Sequence, residues 1–117
     1  MMSLEDIPEV CIEHSGNYKF VQVQGPEGRN YIHGKSKWES HKGVFELDFI
    51  KVLKAHEVEP IGFRCVGGGE ITINKSKKVL TASDSSEKYG NFDREVVRSL
   101  LERYVTQNLE GYSVQIK

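Results

Sequence analysis

Residues Tyr31 to Lys54 read YIHGKSKWESHKGVFELDFIKVLK, and this stretch carries the chain from a strand into a helix. Tyr31, Ile32 and His33 have strand character, and Gly34 ends it. From Val44 the apolar spacing changes: Val44 and Leu47, with Phe45, Phe49, Val52 and Leu53, form a wide helical stripe. The helix is expected to end near His56, because Pro60 cannot lie inside it. Two caps compete for its start. Ser36 and Glu39 have capping-box spacing, which puts His41 in the second turn. A cap at Ser40 puts His41 at the first helical position instead. Gly43 lowers helix propensity by about 1 kcal/mol relative to Ala and does not choose between them. His33 and His41 flank the changeover, where a histidine can meet an anion beside unpaired backbone N–H groups.

Upstream, Tyr18 to Gln24 (YKFVQVQ) alternates as a strand, with Lys19, Val21 and Val23 on one face. Lys19 is thus a charge on a β-branched face. It is either a lysine at the strand's start with its amine in water, or one held at the sheet rim to neutralise an anion. Gly25-Pro26-Glu27-Gly28 is a turn, so Arg29 to His33 should return antiparallel. Val10 and Ile12 suit a short edge strand, preceded by a polar lead-in over Met1 to Glu9. Downstream, Ile61 to Val66 reads as a strand, and Gly67-Gly68-Gly69 as a turn or bulge that aims the next one. Glycines in a row are otherwise expected where the backbone needs close approach or positive φ. Ile71 to Asn74 and Lys78 to Thr81 suggest a second hairpin, and Ala82 to Gly90 a polar loop. Val96, Val97, Leu100, Leu101, Tyr104 and Val105 mark a second helix, capped by Asn91 or Asp93. Tyr112, Val114 and Ile116 alternate in a last strand. The expected class is α/β, a mixed β-sheet of about six strands covered by two main helices.

Composition narrows the function. The 117 residues suit a single domain spanning 1–117. A net charge of -1 gives no global field for nucleic acid. No apolar run of about 18 residues and no signal-like start is seen, so the expectation is a cytoplasmic protein without a membrane span. Helices covering the sheet suggest a monomer. Cys11 and Cys65 lack motif spacing; they can form a single disulfide but read first as free, partly buried thiols. No metal motif, phosphate-binding glycine loop, nucleophile elbow or thiol-phosphatase loop is present.

On pattern alone His41 is a surface residue or an incidental hydrogen-bonder. Its setting adds chemistry. The positive end of a helix favours a neutral ring, which can take a proton from water, and the same helix end can hold a phosphate. The serine-rich loop is either an ordinary connection or an anion nest of successive N–H groups with a hydroxyl. Trp38 reads as a cover over the helix start.

Several segments together resemble the small phosphohistidine phosphatase family, which also includes the Janus and Ocnus proteins. They are IPEV at Ile7 to Val10, YKFV at Tyr18 to Val21, and HG at His33-Gly34 with His41 following. CVGGGEI at Cys65 to Ile71 and Tyr89-Gly90 complete the set, in family order across nearly the whole chain. The resemblance implies an α/β sandwich and a metal-independent protein phosphohistidine phosphatase without a cofactor. Its partners would be phosphate and a phosphohistidine-containing protein or peptide. His41 falls at the family's catalytic histidine, and Lys19 at its phosphate-contacting lysine. Lys42, Ser86 and Lys88 correspond to the groups around the phosphate. Two family arginines are replaced, by His33 and by Glu70. The expected mechanism is His41 activating water against the P–N bond, or His41 accepting the phosphoryl group covalently. The alternatives are a non-catalytic phospho-ligand binding module, a diverged inactive member, and a structural protein.

Overall fold

The turn at Gly25 to Gly28 closes the first hairpin. Its 3-10 turn, Pro26–Gly28, places Glu27 and Gly28 at φ 64 and 72. Strand β2 (Gly16–Gln24) returns as β3 (Asn30–Gly34), antiparallel, with Phe20 opposite Gly34 and Gln24 opposite Asn30. The computed structural model describes residues 6–117, so residues 1–5 of the expected lead-in lie outside the described residues. Short β1 (Val10–Cys11) pairs parallel with β3 at the sheet edge. On the other side of β2 runs β4 (Arg64–Asn74), antiparallel. β4 turns into β5 (Val79–Ser83) as the second hairpin, and β6 (Ser113–Ile116) lies parallel to β5. Among the described residues the strands form one mixed sheet in the order β1-β3-β2-β4-β5-β6.

Two expectations for β4 are corrected. The strand does not begin at Ile61, which is 84% exposed in a turn before it. Gly62, at φ +92, turns the chain there, and Phe63 takes the buried position instead. Nor do the three glycines make a turn: β4 passes straight through them. The irregularity lies just before, where the register with β2 shifts between Gln22 and Val23. The glycines answer a need for close approach. An added Cβ would lie 2.4 Å from the Asn91 carbonyl at Gly67 and 2.3 Å from the Ser83 carbonyl at Gly69. Neither distance is tolerable between non-bonded heavy atoms.

Alternation on β2 feeds two cores. Tyr18 and Phe20 face Ile71, Leu80 and Ala82 and the apolar side of α2 (Arg94–Asn108), notably Val97, Leu101 and Val105. Val21 and Val23 face Tyr31, Val44, Phe49, Leu53 and Phe63 under the first helix. Each fully buried side chain of this size contributes roughly 1.5–3 kcal/mol. Asp93 is the α2 cap: its carboxylate accepts the N–H groups of Glu95 and Val96 at 3.1 and 3.2 Å.

The first helix begins at His41 and passes through a π-helical segment, Gly43–Phe49, into α1 (Ile50–Ala55). Ser40 is its cap, with the Gly43 N–H donating to Ser40 Oγ at 3.1 Å. The Ser36–Glu39 box does not form, because Ser36 instead donates its N–H and hydroxyl to Glu13. The expected place of Leu47 in the apolar stripe is also corrected, since it is 57% exposed. Nine residues of ideal α-helix turn through roughly 900°, which would leave Val44 and Leu53 on opposite sides. The wider π register brings Val44, Phe49 and Leu53 to one buried face and turns Leu47 outward. Cys11 and Cys65 are free and partly buried, and burial pushes the Cys65 thiol up to about 12.

Candidate active site

Strand β2 sets Lys19 on the face shared with Val21, opposite Glu70 of β4 and inside the ladder rather than at its end. The cap at Ser40 fixes that start, and His41 and Lys42 follow as its first two residues. Their N–H groups precede any helical acceptor and so have no intrahelical partner. The loop after β5 completes the surroundings. Lys19, His41, Lys42, Ser86 and Lys88 all line one cleft of about 510 Å³, with Ser40, Ser85, Glu39 and Glu87. All five site residues expected from the sequence are therefore brought together.

His41 is largely buried, at 9% exposure. Its Nε2–H donates to the Gly69 carbonyl of β4 at 2.9 Å. A carbonyl only accepts, so in the neutral ring the lone pair is on Nδ1. Gly68 makes room for this ring: a Cβ there would lie 2.8 Å from His41 Cδ2 and 3.3 Å from Ser86 Cβ. The triple glycine is thus the wall on which the His41 ring and the loop converge. Sequence reading missed that role, although the entropic cost of three adjacent glycines was its signal.

The loop is held by its own backbone. Ser86 N–H donates to the Gly90 carbonyl, and Gly90 N–H to the Ser86 carbonyl, at 3.1 and 2.8 Å. Gly68 N–H also donates to the Gly90 carbonyl, docking the loop on β4. Ser86 Oγ accepts the Tyr89 N–H at 3.0 Å, which leaves the hydroxyl proton to donate. The expected nest is corrected in this respect: the Ser86 N–H is spent inside the loop. The Tyr89 ring meets Phe45 edge-on, at 6.0 Å between centroids, and couples the loop to the first helix.

The charges alternate in sign. Lys19 pairs with its cross-strand neighbour Glu70 at 3.9 Å, both about a third exposed. Lys42 pairs with Glu46 at 3.9 Å, and Lys88 lies over the Tyr89 ring. Such exposed pairs contribute little to stability. They do set the local field around the cleft. His33 does not join the site. It is 1% exposed beneath the first helix, and its Nε2–H donates to Asp48 Oδ2 at 3.1 Å. Burial holds its imidazole below the ordinary value, and the Asp48 carboxylate opposes that shift. Trp38 covers the helix start as expected, its Cε3 only 3.1 Å from where a Gly43 Cβ would stand. Among the described residues no group of three or more His, Cys, Asp or Glu side chains is placed to hold a metal ion.

A model describing the Janus/Ocnus family (Ocnus) matches residues 4–109, a span holding every element from β1 to α2 and the whole cleft. The chain belongs to the Janus/Ocnus family. No curated protein sequence matches it. In this Janus/Ocnus chain the cleft is built by β2, β4, the helix start and the loop after β5, and all four lie inside the matched span. Among the described residues no helix is long and apolar enough to cross a membrane.

Proposed function

We propose that this Janus/Ocnus protein is a metal-independent protein phosphohistidine phosphatase. The observation that carries the reading is the His41 Nε2–H bond to the Gly69 carbonyl, which makes Nδ1 the basic nitrogen at a cleft lined with lysines. The resemblance of the His33-Gly34, His41, CVGGGEI and Tyr89-Gly90 segments to phosphohistidine phosphatases supports it from sequence.

In the proposed reaction the phosphoryl oxygens take hydrogen bonds from the free N–H groups at the helix start and from the Ser86 hydroxyl. Lys19 neutralises one oxygen, and Lys42 and Lys88 add positive field. A water attacks phosphorus in line, forming the new O–P bond as the P–N bond breaks. Its proton passes to His41 Nδ1, the leaving imidazole nitrogen takes a proton from solvent water as it departs, and His41 returns its proton to solvent.

The test is phosphate release from a phosphohistidine peptide in single turnover. The native protein should release phosphate, and His41→Ala should slow release roughly 10²- to 10⁴-fold with the fold intact. Failure of the native protein to release phosphate, or full activity in the variant, overturns the reading. Rapid quench separates the two routes: a phosphorylated His41 trapped during turnover excludes direct water attack. The Lys19–Glu70 pair favours a second reading, a module that binds a phospho-ligand without turning it over, because Glu70 competes for the charge on Lys19. Saturable binding of the peptide with no release selects that reading.

A further inference from the structure

The segment between His41 and Asp48 is wound in the rare π register, as the Ile50 N–H bond to the Phe45 carbonyl shows. In an α-helix, residues seven apart share a face. Here they address different strands. His41 bonds to Gly69 on β4, Asp48 bonds to His33 on β3, and β2 runs between those strands. The wide winding separates the two directions. His33 cannot follow a turning helix: it is fully buried, and its ring meets Phe49 edge-on at 5.6 Å between centroids. It is therefore a fixed donor planted in the core, and the carboxylate that reaches it lies at the far end of the π segment. Phe49 and Leu53 pack the apolar side of this end into the core, and the Asp48–His33 bond is its polar tie to β3.

We propose that His33 and Asp48 are a positioning pair, whose hydrogen bond holds the Gly43–Phe49 segment in π register and so aims the His41 ring at Gly69. The value of this pair to catalysis rests on the reading of His41 as the acting base, whereas its effect on the ring does not. Loss of the bond frees the tail of the segment to wind more tightly, which rotates the head and weakens the His41 contact.

The experiment compares the native chain with Asp48→Ala and Asp48→Asn. The Asp48 side chain is 23% exposed, so alanine there opens toward solvent and leaves the buried His33 N–H without its acceptor. Nitrogen NMR of the His41 ring reads the tautomer, and hydrogen exchange reads the protection of its Nε2–H. Asp48→Ala should convert a single Nε2–H tautomer into a mixture with faster exchange. Its kcat on a phosphohistidine peptide should fall about tenfold to a hundredfold with KM little changed. Asp48→Asn keeps an acceptor oxygen for His33 and should restore the native ring signals. A folded Asp48→Ala with the native His41 tautomer and exchange overturns the proposal, even if its Tm is lower. So does an Asp48→Asn variant that disturbs the ring as much as alanine. A native protein without phosphatase activity, but with the ring disturbed in Asp48→Ala, sinks the functional reading and leaves the positioning pair standing.

Discussion

At the scale of single residues, His41 depends on a residue that carries no side chain. Gly68 leaves the space that the imidazole fills, and its neighbour Gly69 supplies the carbonyl that orders the tautomer. Gly68→Ala would put a methyl group 2.8 Å from both His41 Cδ2 and the Phe20 carbonyl. The backbone oxygen cannot yield, so the ring must. The variant is expected to lose about 1–3 kcal/mol, the usual range for overpacking, as a lower urea midpoint with unchanged slope. It should also lose turnover more steeply than its stability explains. A variant with native turnover would show that the ring has room the structure does not give it.

At the scale of elements, α2 and the first helix solve the same problem differently. α2 has an ordinary start: Asp93 accepts two N–H groups, and an apolar face covers Phe20, Leu80 and Ala82. Asp93→Ala should cost about 1 kcal/mol, as cap removal does, read as a lower Tm. Because α2 packs on the face of the sheet away from Lys19 and His41, phosphate release should be unaffected. A loss of release would mean that α2 and the cleft are coupled through the Asn91–Phe92 backbone that crosses Gly67. The first helix trades regularity for reach. Its winding places Val44, Phe49 and Leu53 in one core while His41 stays at the cleft. Helical period read from an unbroken α pattern therefore misplaced Leu47.

At the scale of the whole molecule, stability should depend on pH in a manner set by His33. Its folded-state value is lowered, chiefly by burial, so on acidification the unfolded chain takes up the proton first. Full stability is present above the ordinary histidine value of about 6.5 and is lost as pH falls from there through the lowered folded value. Urea midpoints taken between about pH 7.5 and pH 5 should fall in the native chain and fall less in His33→Gln. Equal slopes in the two would assign the effect elsewhere. A separate loss should follow at lower pH. The Glu13 carboxyl is held below 4.5 by its hydrogen bonds from Ser36, so its contribution remains above 4.5 and disappears below it.

The sequence alone determined the α/β class, the two hairpins and the alternation of β2, and the family resemblance named five residues of the cleft. The class, the hairpins and the alternation follow from local rules, period-two alternation and turn chemistry at Gly25 to Gly28, whereas the cleft residues follow from a family-like order of short motifs. Choosing Ser40 over Ser36 needed the partner that removed Ser36, which is Glu13, distant in the chain. The triple glycine was legible as a demand for space, but what occupies that space, the His41 ring and the Asn91 and Ser83 carbonyls, arrives from other elements. The departure of His33 into the core and the π winding were likewise decided by tertiary contact. Each depends on which side chain meets which across the sheet, and no periodicity along one segment encodes that.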